Sequence, residues 1–433
     1  MKSLLLFTIL LSNYGFSQSW SLLPNSPAAA FRHDDLYFIN PDTGWVVNVD
    51  GYIYKTTDGG NSFSTQLYLP NTSFRCVGFA DENKGWAGNL GEGAWSPTLD
   101  TLPLYQTVDG GTTWTPVTNI AGPLPKGICG ISVVNDSVVY AAGRVGGPCY
   151  IMKTTDGGTT WTSTNFNPPA FYLIDCKFFS PDTGFVAGCR GTAFSNETYA
   201  IFYTTNGGAS WTTVAGDTND TFHGHCWKID FPSRNVGYAS IETSGSDSVP
   251  VLKTTDGGLT WTEKLWSIPI WYAQGIGFIN DSVGWCGSWP TQVKETSDGG
   301  DNWNQFTFVD YFNRFRKIND TLAYASGTRI WKYSTQATSV TENTPTNGLI
   351  LKQNYPNPFF NKTTIEYTLP SKGKTVLRIY DFAGRPVTTL VNQEQSKGNY
   401  KVDFALPYYF DAHFYCVLYF NEEMRSCSMG MMK

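Results

Sequence analysis

The sequence predicts an all-β chain, a closed ring of seven four-stranded sheets followed by a small β-sandwich, and three observations carry that expectation. A segment of the form T-T-D-G-G-x-T-W recurs six times between residues 55 and 303, the last ninety residues alternate polar and apolar positions without it, and the composition favours strands. The 433 residues include 43 Gly, 15 Trp, 24 Tyr and 28 Phe but only 15% charged side chains, which suits short strands joined by tight turns rather than helices. The formal charge of -6 leaves no Lys/Arg excess to displace counterions from a nucleic acid, so no nucleic-acid partner is expected. The length and apolar content suffice for two or three folded units.

Residues 1–17 stand apart. Lys2, the apolar run Leu4 to Leu11, then Gly15, Phe16 and Ser17 read as a secretory signal peptide. The run is too short to span a bilayer, and nothing later reaches the ~18 apolar residues of a transmembrane helix. The mature protein is therefore expected outside the cell. Nine Cys is an odd number for an oxidising compartment, and the expectation is small buried thiols with at most a bridge or two, such as Cys176 to Cys189.

The six recurring boxes start at Lys55, Gln106, Lys153, Tyr203, Lys253 and Glu295. Their acidic or amide residues are Asp58, Asp109, Asp156, Asn206, Asp256 and Asp298, separated by 51, 47, 50, 50 and 42 residues, a period typical of propeller blades. A second motif precedes each box, a strand, a short Asn/Asp/Pro/Gly turn and an aromatic: Trp45, Trp86, Tyr140, Phe185, Tyr238, Trp285 and Tyr324. That makes seven, one more than the boxes. The seventh unit lacks its last strand, and SWSLLP from Ser19 matches the strands that follow the boxes, so Trp20 fills the slot held elsewhere by Phe63, Trp114, Trp161, Trp211, Trp261 and Trp303. Pairing that strand into the last sheet removes two open edges. Residues 18–334 are thus expected to form a seven-bladed β-propeller. Each box has hairpin chemistry, with a carboxylate accepting from its own turn and glycines taking positive φ. Its repetition in blade after blade marks a fold element and not a catalyst.

These boxes resemble the Asp-box, or bacterial neuraminidase repeat, of sialidases, sortilin and the photosystem II assembly factor propellers, and look most like the last. In those folds the box marks the blade, so the resemblance implies architecture. A sialidase would carry Arg-Ile-Pro, whose nearest counterpart here is Ser267-Ile268-Pro269. A xyloglucanase-like enzyme would pair two propellers, and one fits. His223 and His225 beside Cys226 lack a third metal ligand at known spacing, and no Ser/His/Asp set or phosphate loop occurs. The reading is a binding module with no catalytic residue, metal or cofactor; the alternatives are a glycoside hydrolase with a carboxylate pair in the loops and, by fold analogy, an assembly-factor-like scaffold.

Long loops gather on the face opposite the boxes, where rigid scaffolds usually carry function. Trp95, Trp266, Trp271 and Trp289 fall there outside the repeat slots, and with Tyr272 they suggest an aromatic platform for a glycan or protein. The channel mouth on that face collects Arg32, His33, Asp34, Asp35, Arg75, Lys126, His223, His225 and Arg314, either a recognition site or a solvated rim.

Residues 335–348 read as a linker, and 349–433 as an Ig-like β-sandwich of about seven strands. Asn354 to Phe359 (NYPNPF), Thr363 to Tyr367 (TTIEY) and Val376 to Arg385 (VLRIYDFAGR) resemble the type A C-terminal sorting domain of type IX secretion. The resemblance implies partners in the type IX translocon and its C-terminal signal peptidase, and a passenger that is released or attached to the outer-membrane surface. Residues 345–433 hold 10 Lys/Arg against 7 Asp/Glu, whereas 18–344 are net -10 by difference from the whole. N-terminal sequencing of the exported protein is expected to begin at Gln18; retention of Met1 would refute the signal peptide.

Overall fold

The computed structural model describes residues 17–30, 32–93, 99–193, 196–216, 224–243, 249–267, 273–288, 292–306, 310–336, 348–357, 359–381, 386–405, 412–421 and 423–431. Every regular element among them is a β-strand. Ser17–Gln336 form one compact unit and the described residues after Gln336 belong to a second.

The first unit contains seven antiparallel sheets in sequence order. Sheet one is His33–Phe38, Gly44–Asn48, Tyr52–Thr56 and Ser64–Tyr68; each following sheet repeats that meander, beginning on Phe74–Phe79, Gly130–Val133, Tyr172–Phe178, Gly224–Asp230, Ala273–Phe278 and Arg314–Asn319. Sheet three gains a fifth strand, Ile120–Ala121, parallel to Trp161–Asn165. Sheet seven has only three strands of its own, and Ser17–Leu22 pairs antiparallel with its last, Trp20 opposite Tyr333. The architecture is a β-propeller.

Apolar burial is distributed over seven junctions between consecutive sheets, such as Trp45, Val47 and Ile53 against Phe74, Val77 and Phe79. Leu23, Tyr324 and Ile330 meet Leu36, Phe38 and Val46 where sheet seven meets sheet one. The upstream-motif aromatic stacks on the Phe that ends the next sheet's first strand: Trp45 on Phe79, Tyr140 on Phe178, Tyr238 on Phe278 and Tyr324 on Phe38, with ring centroids 3.5–3.7 Å apart. The post-box Trp then meets that Phe edge-on, as in Trp114 to Phe79, Trp211 to Phe178 and Trp303 to Phe278. Trp20 does the same to Phe315 in sheet seven. Such pairs contribute roughly 0.5–1.5 kcal/mol each beyond area burial.

At four junctions the boxes supply the polar half. In the first, Asp58 Oδ1 accepts from Thr56 Oγ1 at 2.8 Å and from the Ser62 N–H at 2.9 Å, while Ser62 Oγ donates to Oδ2 at 2.6 Å. Gly59 N–H donates to Asp42 O in the turn of its own sheet at 2.8 Å, and Gly59 O accepts from Tyr324 of the preceding sheet at 3.2 Å. Gly110, Gly207 and Gly299 serve Trp45, Tyr140 and Tyr238 in the same way. The second glycine must lack a side chain: at Gly258, with φ of 93°, a Cβ would fall 2.2 Å from the Phe185 ring of the preceding sheet.

All nine cysteines are free, and the expected Cys176–Cys189 bridge is absent. The register explains it: Cys176 stands opposite Val186 and Cys189 opposite Tyr172, at different heights on the strand pair.

In the second unit Lys362–Leu369 lies between Ile350–Leu351 and Gly398–Ala405, and a separate sheet runs Pro386–Gln395, Gly373–Asp381, Ala412–Phe420, Glu423–Met431. Residues from both sheets, including Ile365, Tyr367, Leu377 and Leu418, share one core. Asn354 of the NYPNPF motif is buried and donates to Thr363 Oγ1 at 2.8 Å and Pro356 O at 3.0 Å, which locks that turn.

Asp58, Asp156, Asp256 and Asp298 are each lowered to about 2, for the first three chiefly by the hydroxyl donor four residues on, and for Asp298 by the Asn302 N–H and amide. A depressed carboxylate contributes stability that is present above its unfolded pKa of about 4 and is lost as pH falls through the folded value. Melting temperature is therefore expected to fall between about pH 4 and pH 2. Asn206 binds Ser210 through the same geometry without titrating. Asp156→Asn should thus melt near wild type at pH 7 and lose less stability in acid, measured by circular dichroism, whereas Asp156→Ala should melt lower at both.

Candidate functional site at the channel mouth

Six of the seven innermost strands carry a register shift; in Arg314–Asn319 it lies late, between Lys317 and Asn319, and in the other five it lies early, between His33 and Asp35, Phe74 and Cys76, Leu173 and Asp175, Cys226 and Lys228, and Ala273 and Gly275. Each of those five early shifts is a β-bulge that leaves one residue unpaired and re-aims its side chain. The unpaired residues are Asp34, Arg75, Ile174, Trp227 and Gln274, and they converge. Arg75 Nη1 donates to Asp34 Oδ1 at 2.5 Å, and Arg32 Nε reaches the same oxygen at 3.2 Å. Both guanidiniums lie over the Trp227 ring, 5.6 and 5.3 Å from its centroid. Ile174 packs with Trp227 in one apolar cluster with Tyr172 and Cys129. Gln274 accepts from Arg32 Nη1 and donates to Glu242 Oε2 at 2.8 Å, linking the arginines to a second charged group.

That second group is centred on His225. Its Nδ1 lies 3.2 Å from Glu197 Oε1 and 2.7 Å from the Tyr172 hydroxyl, which donates to Glu197 Oε2; its Nε2 lies 3.7 Å from Glu242 Oε2. Burial alone would lower the imidazole, but Glu242 and Glu197 outweigh it and raise His225 to about 9. Two guanidiniums sharing one carboxylate leave a local surplus of positive charge, and one imidazolium between two carboxylates leaves a surplus of negative charge. The mouth is bipolar, and Gln274 spans its two poles.

Beneath it lies a second layer of buried charge, centred on Arg314. Arg314 makes a bidentate pair with Asp175, both contacts 2.9 Å, and its Nε reaches Asp35 at 3.0 Å. Asp35 and Asp175 also accept from Val77 and Ile229 N–H groups of the following sheets, both at 3.1 Å. Lys228, beside Arg314 and Asp175, is lowered to about 8, mainly by burial. Such buried pairs hold geometry more than they add net stability.

The expectations at the mouth are resolved unevenly. Arg32, Arg75 and His225 come together as a cluster, but as a buried network and not the solvated rim that was one of the two expectations; the Arg32 side chain keeps 10% of its exposure. His33 is buried against Pro27 O, its ring held neutral by burial, and Lys126 is exposed. Trp266 is not a surface platform. It is 2% exposed and packs with Tyr238, Val251 and Phe278, because strand alternation turns Leu265 outward and Trp266 inward, with Lys294 Nζ 5.7 Å over its ring. Trp95, Trp271, Tyr272, Trp289 and His223 lie outside the described residues. Trp227, Gln274, Glu197, Glu242 and Tyr172 are not among the residues to which the sequence points; Trp227 fills none of the repeat slots, which is its one signal. Among the described residues no group of three His, Cys, Asp or Glu is placed to hold a metal ion.

No protein-family model matches the chain, and no curated protein does. Solved structures do. YCF48 bound to D1 peptide is 17% identical with a TM-score of 0.53 over 74% of this chain and 97% of that one. YCF48 from Cyanidioschyzon merolae is 15% identical with a TM-score of 0.55, over 73% and 98%. An ancestral GH74 enzyme is 14% identical with a TM-score of 0.53, covering 94% of this chain and 63% of its own. At such identities the likeness establishes the β-propeller fold, which hosts both assembly factors and glycoside hydrolases.

A His raised above its unfolded pKa contributes stability that is complete below about pH 6.5 and is lost as pH rises through the folded value. The difference in urea midpoint between wild type and His225→Gln is therefore expected to shrink from pH 6 to pH 9.5. Lys228 acts oppositely above about pH 8 but is common to both proteins, so it cancels in the difference.

Proposed function

We propose that the mature chain is an exported seven-bladed propeller that binds a segment of a partner protein at its bipolar channel mouth and does not cleave it. The single observation that carries this reading is the pair of poles, Arg32 and Arg75 stacked on Trp227 and His225 held between Glu197 and Glu242. Desolvated guanidiniums over an aromatic face are strong anchors for a carboxylate, and the opposite pole suits a basic side chain. The net charge of -10 on residues 18–344 would steer a partner that is basic overall. That a YCF48 propeller holds a peptide fits this reading by analogy of fold.

The hydrolase alternative needs two carboxyl groups with open space between them for water and the scissile bond. Among the described residues Glu197 and Glu242 form an acidic pair at the mouth, and the His225 ring occupies the space between them. Residues 349–433 we read as the type IX sorting domain, with translocon and C-terminal signal peptidase as partners, and the propeller as the passenger left at the outer-membrane surface or released.

The test is a peptide array against the mature full-length protein, run beside a glycan array with product analysis. Peptides pairing an acidic with a basic side chain should be retained, and neutralising either charge should weaken binding about tenfold, as should Arg32→Gln in a variant whose melting curve is unchanged. Retention indifferent to both charges, or a glycan hit that is shortened, would overturn the proposal.

A further inference from the structure

Cys416 and Cys427 stand directly opposite each other on the antiparallel strands Ala412–Phe420 and Glu423–Met431. Residues so placed present their side chains to one face with Cβ atoms ~4.5–5.5 Å apart, and a disulfide asks for Cα atoms ~4.4–6.8 Å apart and Cβ vectors that converge. Their common face is the core side: Cys416 is fully buried in the apolar cluster of the second unit, and Cys427 is half-buried against the same cluster. No other strand register among the described residues sets one cysteine opposite another; Cys76 faces Gly88, Cys226 faces Ile241 and Cys286 faces Ile276.

We propose that Cys416 and Cys427 are a redox-closable pair that pins the last strand to its neighbour when the protein meets a disulfide oxidant. The two sulfurs differ in a way that sets the order of steps. Cys427 keeps part of its exposure whereas Cys416 is buried; contact with the neighbouring thiol and the Asn354 backbone N–H favour the Cys427 thiolate, while the same contact and burial hold Cys416 above the ordinary thiol range. Cys427 is thus the more accessible thiol and the better thiolate. Its thiolate attacks one sulfur of the oxidant's disulfide, forming a mixed disulfide and releasing the oxidant's other sulfur as a thiolate. Cys416 then gives up its proton and attacks the Cys427 sulfur, expelling the remaining oxidant thiolate. Two electrons and two protons pass from the pair to the oxidant, which leaves as two thiols.

The consequence is mechanical. Glu423–Met431 is the edge strand of its sheet, held on one side only, and edge strands are the ones that detach or accept new partners. A cross-link to Ala412–Phe420 ties that edge down. The inference is independent of what the propeller binds. It draws on export only for where the oxidant is met, and the test does not require export.

Mature full-length protein is incubated with oxidised glutathione, alkylated natively, digested and analysed by mass spectrometry. A peptide pair joining Cys416 to Cys427, two hydrogens lighter than the dithiol, is expected, with the seven propeller cysteines recovered as thiols after denaturation. Cys416→Ser should stop at a glutathione adduct on Cys427, whereas Cys427→Ser should leave Cys416 unmodified. If either variant fails to fold, a wild-type time course decides, since the adduct on Cys427 must precede the link. A wild-type adduct that persists without closing, a first adduct on Cys416, or no reaction at either residue would overturn the proposal.

Discussion

A ring of sheets has no central core, so its integrity rests on each junction separately, and four of the junctions are built around the first glycine of a box. Where that glycine's carbonyl takes the polar tip of the preceding aromatic, as Gly59 does from Tyr324, its N–H is already spent on a turn of its own sheet. The peptide unit is then a node between two sheets and two hairpins. The apolar part of the same aromatic stacks on the neighbouring Phe, so burial and hydrogen bonding reinforce one another in a single side chain. Net stability is a small remainder of large opposing terms, and a ring opened at one junction would expose two apolar sheet faces at once. Tyr324 and Trp20 matter for that reason: Tyr324 bonds Gly59 across the junction of sheets seven and one, and Trp20 packs on Trp285 between sheets six and seven.

Closure has a second effect, on the channel. Seven innermost strands held side by side bring Asp34, Arg75, Trp227 and Gln274 together from four different sheets, although they are up to 240 residues apart in the chain. The β-bulges are what turn these residues out of the regular alternation. The deeper layer, Arg314 with Asp35 and Asp175, explains how a charged cluster persists in a desolvated place: the arginine pairs with both carboxylates, and backbone N–H groups of adjacent strands fill remaining acceptor positions. The mouth above it is organised by the fold itself, and such preorganisation would reduce the cost of the proposed binding.

Much of this was legible in the chain. The boxes, the upstream aromatics and the displaced Trp20 each announce a slot, because a repeated unit must satisfy the same junction each time and has little freedom to vary. The platform expectation failed at Trp266 because a loop position and the inward face of a strand end look alike in sequence, and only the alternation with Leu265 separates them. Trp227 was passed over for the converse reason: a single-residue bulge leaves no mark in the pattern, yet it shifts which residue faces the channel. The Cys176 to Cys189 expectation failed on register, since proximity in sequence says nothing about height on a strand pair.

Local rules of turn chemistry and periodicity act over a few residues and repeat, so residue order alone was enough for the all-β architecture, the box hairpins and the strand that closes the ring. The bipolar mouth and the facing pair Cys416 and Cys427 were not legible in that way. Each depends on which residues stand at the same height on different strands, a quantity set by bulges, registers and ring closure together, and no short-range pattern in the chain encodes it.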